Sequence, residues 1–250
     1  MIDQKLSILY VMASHSECGK CLQSKIDPFM IGIGPVEAGV NLTAELGRLS
    51  YNESLPDLVV SLGSAGSSTL PQKEVFQVTA LSYRDMDVSL LGYEKGCNPL
   101  LDLPAVVVLP LQVPDIKGAT LSTGGSIVSG AAYDQIDADM VDMETFAVWR
   151  ACQKYAVPMI GLRGISDGKK ELGGLSDWEK HLDVLDEKLC QALDKLEIAV
   201  QKGLLASQPW PKHSTDLVGR QGEPRVRRLS EGKRFPAAPR CDAAIKIEEA

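Results

Sequence analysis

The feature that most constrains this chain is a series of short apolar runs, each followed by glycine or polar turn residues. Residues 6–13 are nearly continuous in apolar character, the pattern of a strand buried on both faces, and residues 29–33 repeat it. Residues 57–62 and the strongly apolar 158–166 read as further strands. Strands buried on both faces need helices above and below. Alternation of such strands with helices implies parallel pairing in an α/β fold, with ligands at the carboxyl ends of the strands.

The intervening segments supply the helices. Pro35 can open one, followed by Val36, Val40, Thr43, Leu46 and Leu49 at helical spacing, and Pro56 closes the segment. Residues 74–83, 105–111 and 120–129 read as strands, and 140–142 as a short strand entering a helix over 143–155. A last helix is expected from Ser176, with Glu179 as its capping-box partner. Its stripe runs through Trp178, Leu182, Leu185, Leu189, Leu193, Leu196 and Val200, and Gly203 ends it. After Leu205 no apolar periodicity survives, and Arg225, Arg227 and Arg228 form a basic run. The expected organisation is one catalytic domain over residues 1–205 and a disordered extension over 206–250, with a nucleic-acid arm as the alternative for the extension.

Composition narrows the function. The chain has 250 residues, 44% hydrophobic and 24% charged, enough to bury a substantial core. Its formal net charge of −7 argues against general binding to nucleic acid or anionic lipid. No stretch approaches the roughly 20 apolar residues of a membrane span, and the N-terminus lacks a signal-peptide cleavage pattern. The six cysteines are scattered, as expected of reduced thiols in a cytoplasmic protein. Cys18 and Cys21 form a CxxC, but without the preceding βα unit of a thioredoxin-like domain. His15, His181 and His213 form no ligand cluster, so neither metal nor cofactor is expected.

Four segments carry candidate chemistry. Gly63-Ser64-Ala65-Gly66 follows a strand and lets a ligand approach the backbone. Residues 83–96 hold acids and aromatics that could line a pocket or form a solvated loop. At Asp142-Met143-Glu144 a carboxylate can accept from sugar hydroxyls and the thioether can pack on a sugar face. The alternative there is helix capping by Asp142 and a core Met143. Arg163 to Gly168 ends an apolar strand with Ser166 and Asp167, an acid at the mouth of the sheet or a turn residue before glycine.

The ordered set Gly-Ile-Gly (32–34), Gly-Ser-Ala-Gly (63–66), Asp-Met-Asp-Val (85–88), Val-Ser-Gly (128–130), Asp-Met-Glu (142–144) and Ile-Ser-Asp (165–167) resembles the nucleoside phosphorylase and nucleosidase family. The match is best to its methylthioadenosine/S-adenosylhomocysteine nucleosidase branch and covers roughly residues 6–203. The resemblance implies a single-domain, three-layer fold with a central mixed, partly closed sheet flanked by helices, assembled as a homodimer. It implies that Asp167 protonates the adenine with support from Ser166, and that Met143 and Glu144 hold the ribose. Tyr133 would stack on the base, Ile33, Ser64 and Gly66 would line the pocket, and Arg163 would be a pocket arginine near Asp167. Glu17 would activate water, with His15 as a substitute. Two departures from the branch are the segment Met12 to Glu17, which lacks the usual run of Glu, and Asp142, one methylene shorter than the usual acid.

Phosphorylases of the family hold phosphate with several arginines, one commonly two residues before the Gly-Ser segment. That position here is Ser61, and the first 62 residues hold one arginine, Arg48. Hydrolysis is therefore expected: cleavage of the N-glycosidic bond of an adenine nucleoside such as 5'-methylthioadenosine or S-adenosylhomocysteine. The alternatives are a purine nucleoside phosphorylase, or a catalytically inactive nucleoside-binding relative.

Overall fold

The computed structural model describes residues 6–205 except 102 and 172. The extension expected over 206–250, with its arginine run, lies outside the described residues. The elements in order are β1 (Ile8–Met12), α1 (Lys20–Lys25), β2 (Phe29–Met30), α2 (Pro35–Tyr51), β3 (Leu58–Gly66), β4 (Val75–Tyr83) and β5 (Val106–Val108). There follow β6 (Gly118–Thr123), β7 (Met140–Asp142), α3 (Thr145–Lys154), β8 (Met159–Asp167), α4 (Leu175–Glu179) and α5 (Leu182–Gln201).

The apolar runs become central strands because their side chains feed two cores at once. Along β3 and β8, Leu58, Val60, Leu62, Ile160 and Leu162 point to one face and pack with Leu22 of α1 and Leu189, Leu193 and Leu196 of α5. Their neighbours Val59, Ala65, Met159 and Ile165 point to the other, against Leu42 and Leu46 of α2 and Val148 of α3. The result is three layers. Strand β3 pairs in parallel with β1 and β8, and β8 runs antiparallel to β4. Parallel pairs β4–β6 and β6–β7 continue the sheet, and β7 returns antiparallel to β3 at Gly66↔Val141. Strands β3, β8, β4, β6 and β7 thus close into a ring. Strands β1 and β2 extend it at one side and β5 at another. This is the mixed, partly closed sheet expected from the resemblance.

Several boundaries differ from the sequence expectation. Strand β3 continues through Gly63 to Gly66, because β8 pairs with it to that point, so this segment is strand and not a turn. Strand β6 stops at Thr123, before Gly124 and Gly125. On α2 the buried face is Ala38, Leu42 and Leu46, while Val36 and Val40 stay 70% and 61% exposed. The last helix is two: α4 and α5 are separated at Lys180 and His181, and Ser176 makes no side-chain cap. The stripe from Leu185 onward does enter the core, and Gly203 ends α5 in the left-handed conformation at φ +66°. Among the described residues no helix is long and apolar enough to cross a membrane.

The cysteines also depart from expectation. Cys21 is bonded to Cys190, not left as a thiol, with Cα atoms 6.2 Å apart, so α1 is stapled to α5. The pairing follows from helix docking: buried Asp186 of α5 accepts from the N–H groups of Cys21 and Leu22 at 2.8 and 3.1 Å, capping α1 from across the fold. The bond closes a loop across 169 residues. Cys190→Ser is expected to lower the unfolding free energy by about 2–4 kcal/mol, the usual worth of such a bond. Urea unfolding with and without a thiol reductant checks this: wild type should lose the same amount on reduction. Indifference of wild type to reductant would mean that the pair is not bonded in solution.

Candidate active site

The carboxyl ends of four strands converge on one pocket. Strands β3 and β8 arrive side by side, with Ser64 opposite Gly164 and Gly66 opposite Asp167. Strand β7 arrives beside them and ends at Asp142, and the chain leaving β1 turns through a short helical turn at His15–Glu17. The approach is close where these meet, and at Gly66 only glycine fits, since a Cβ there would overlap the Tyr133 hydroxyl. A Cβ on Gly63 would come within 3.3 Å of Glu17 Oε1, and one on Gly66 within 2.7 Å of Asp167 Oδ2. The pocket is about 550 Å³, the size of a small-molecule site.

Of the residues singled out in the sequence, Glu17, Ile33, Ser64, Gly66, Asp142, Met143, Glu144, Ser166 and Asp167 border it. Glu17 Oε1 accepts from both the backbone N–H and the hydroxyl of Ser64 at 2.7 Å. Burial pushes the Glu17 pKa up, opposed by these two bonds and by Arg163. Glu144 Oε1 accepts from the Gly34 N–H at 2.8 Å. Burial, reinforced by the nearby Asp142 charge, raises the Glu144 pKa to about 7. Asp167 is buried, with Oδ1 2.7 Å from the Ser166 hydroxyl and Oδ2 3.3 Å from the Tyr133 hydroxyl.

Four residues sit otherwise than expected. Tyr133 does not present its ring to the pocket; it is buried behind Asp167 and donates to it, and burial beside that carboxylate raises its own pKa. Arg163 is not beside Asp167. It lies beneath Glu17 and Glu144 and is ion-paired to Asp142 at 3.1 Å, with both side chains buried. Asp142 touches the pocket rim, but its carboxylate is committed to Arg163, the Thr123 hydroxyl at 2.6 Å and the Thr145 N–H at 2.9 Å. The capping reading of Asp142 therefore describes its side chain, and α3 starts at Thr145 for that reason. His15 is exposed and lines no part of the pocket, so Glu17 alone of the two reaches it.

Sequence reasoning missed Trp178 and Arg84. Trp178 borders the pocket and donates its indole N–H to the Ser64 hydroxyl at 3.0 Å. Its spacing to Leu182 mimics a continuous helix stripe, and the preceding Gly173-Gly174 was the signal of a separate element. Arg84, in the segment left open between pocket and loop, donates to the carbonyls of Asp142, Gly124 and Ser126 at 3.0, 3.2 and 2.6 Å, fixing the pocket wall. Below the pocket, Glu17, Ser61, Ser64, Glu144 and Arg163 enclose a cavity of about 10 Å³, near the minimum for one water. Ser61 Oγ and its carbonyl take Arg163 at 2.9 and 3.0 Å.

A ring-closed α/β sheet with a buried acid at one wall of an apolar pocket and a second carboxylate over a water-sized cavity defines a small-molecule enzyme class. The chain belongs to the phosphorylase superfamily, whose family model matches residues 28–200. It is 29% identical over 178 residues to the 5'-methylthioadenosine/S-adenosylhomocysteine nucleosidase of Actinobacillus succinogenes, covering 64% of this chain and 75% of that one. Identity to the Haemophilus ducreyi nucleosidase of the same name is 28% over 203 residues, covering 73% and 84%. Among solved structures, the Campylobacter jejuni 5'-methylthioadenosine/S-adenosyl homocysteine nucleosidase superposes with a TM-score of 0.64 at 17% identity, covering 78% of this chain and 100% of that one. The Colwellia psychrerythraea nucleosidase in complex with adenine gives 0.63 at 21%, covering 77% and 96%. These structures show the shared fold.

The raised Glu144 pKa has a consequence for stability. Folded Glu144 keeps its proton to about pH 7, whereas its ordinary value is 4.5. The folded state therefore binds more protons between these values, and stability falls as pH rises through that window. Glu144→Gln removes the penalty. It is expected to be more stable than wild type at pH 8 by about 3–4 kcal/mol, at roughly 1.4 kcal/mol per pKa unit, with the difference vanishing below pH 4.5. Urea unfolding of both proteins across this range checks it; parallel curves would contradict the assignment.

Proposed function

We propose that this chain is a nucleosidase that hydrolyses the N-glycosidic bond of adenine nucleosides such as 5'-methylthioadenosine and S-adenosylhomocysteine. The observation that carries this reading is the water-sized cavity between Glu17 and Glu144. A phosphate at that position would face Glu17 and, above about pH 7, the charged Glu144 carboxylate as well. The arginine beside it, Arg163, is bound to Asp142, Ser61 and Thr145, so phosphate finds no open bidentate donor there. The names of the curated relatives agree with it.

The mechanism follows from where charge develops. Breaking the bond leaves an oxocarbenium-like sugar and an electron-rich base. Asp167 gives its proton to the adenine, so that the base leaves neutral. The Ser166 hydroxyl holds Asp167 Oδ1, also lies 3.3 Å from the Ala65 carbonyl, and orients the acid. Glu144 accepts from the ribose hydroxyls and Met143 packs on the sugar. Glu17, made more basic by burial, takes one proton of a water whose oxygen bonds to the anomeric carbon. The proton gained by Glu17 and the one lost by Asp167 then exchange with solvent. Ile33 lies at the pocket mouth, where a 5' substituent would extend.

A second copy of the chain fits the exposed row Ile33, Val36 and Val40, which starts at that mouth and runs one turn down α2. Val40→Glu is expected to convert a homodimer to monomer in sedimentation; wild type sedimenting as a monomer would overturn the assembly.

Asp167→Asn tests the chemistry. The amide keeps the size of the acid but carries no transferable proton, so adenine release should fall by about 100-fold or more. The dissociation constant for a nonhydrolysable adenosine analogue should change only a few-fold. Retention of more than about a tenth of wild-type turnover would remove Asp167 as the acid.

A further inference from the structure

Helix α4 is a five-residue element in which Trp178 alone is not exposed; Leu175 also borders the pocket but is 67% exposed. Trp178 reaches the pocket and spends its indole N–H on Ser64 Oγ at 3.0 Å. That oxygen in turn donates to Glu17 Oε1 at 2.7 Å, and the Ser64 backbone N–H donates to the same Oε1. An indole nitrogen is a donor only, and a serine hydroxyl has one proton and two lone pairs. With Trp178 filling a lone pair, the hydroxyl proton cannot turn toward the tryptophan and is directed at Glu17. We propose that Trp178 is a positioning residue that locks the Ser64 hydroxyl onto Glu17 and so holds Glu17 in its charged, proton-accepting form. This deepens the nucleosidase reading and rests on it for its catalytic meaning.

The arrangement has a chemical logic. Both donors fall on Oε1, which orients the carboxylate and assigns Oε2 to take the proton of water. Hydrogen bonds in a chain polarise one another, so the indole strengthens the Ser64–Glu17 bond beyond orienting it. The other charges facing Glu17 are Arg163 from β8, Asp142 at the end of β7 and Glu144 leading into α3. None of them is touched by a change at Trp178, which hangs from α4. A bond to the charged form of a carboxyl lowers its pKa, so loss of the indole N–H should let the Glu17 pKa rise.

Trp178→Phe removes the N–H while keeping an aromatic ring in the pocket. The test is a ¹³C NMR titration of the Glu17 carboxyl in wild type, Trp178→Phe, Ser64→Ala and the double variant, with kcat and KM measured alongside. Trp178→Phe should raise the Glu17 pKa and lower kcat roughly three- to tenfold, the size of one hydrogen bond, with KM within about twofold. The acid limb of the kcat profile should move up with the NMR value. In the Ser64→Ala background the same change should add nothing, because the link is already cut. An unchanged Glu17 titration in Trp178→Phe would overturn the proposal. So would a full effect of Trp178→Phe in the Ser64→Ala background, or a rise confined to KM. The titration needs no turnover: absence of adenine release by wild type would refute the nucleosidase reading and leave this result standing.

Discussion

The buried pair Arg163–Asp142 is the interaction on which the site depends. Strand β7 meets β3 at a single residue pair, Gly66↔Val141, too little ladder to fix the two strand ends. Arg163, projecting from β8, bridges the gap: it donates to Asp142 on β7, to Ser61 on β3 and to Thr145 at the start of α3. Four elements are thereby held at the pocket floor. Desolvating two charges costs several kcal/mol each, and a pair without further bonds rarely recovers it. Here Asp142 and Arg163 both have additional partners, and no buried side-chain polar atom lacks one among the described residues.

The same cation explains how two further carboxylates are tolerated above it. Glu17 and Glu144 lie over Arg163 around one small cavity, and Arg163 lowers the pKa of both while burial raises them. Burial prevails at both, and at Glu144 it raises the pKa to about 7. The cost in stability is local to the pocket, where burial has made both carboxylates better bases. On the proposed reading, this charge pattern favours a neutral nucleophile over an anionic one.

Much of this was legible in the sequence because it depends on short-range pattern. The apolar runs at 6–13 and 158–166 declared two-sided burial, and the polar residues that follow them mark the site. What stayed hidden depends on tertiary pairing. Asp142 and Arg163 look like ligand contacts in isolation, and only the approach of β7 to β8 makes them partners. Tyr133 reads as a stacking ring until its hydroxyl is found on Asp167. The α2 face is rotated away from Val36 and Val40 because α3 lies along Ala38, Leu42 and Leu46. Trp178 fits the stripe of α5 by spacing, and the break after α4 carries it instead to Ser64. Cys21 and Cys190 are too distant in sequence for any local rule to pair them.

The central claim is that water, not phosphate, attacks the sugar. The direct measurement is turnover of 5'-methylthioadenosine in ¹⁸O-labelled water with and without phosphate, followed by mass analysis of the sugar. The account predicts one ¹⁸O at the anomeric carbon and the same rate of adenine release in both conditions. A sugar 1-phosphate without label, formed only when phosphate is present, would contradict it.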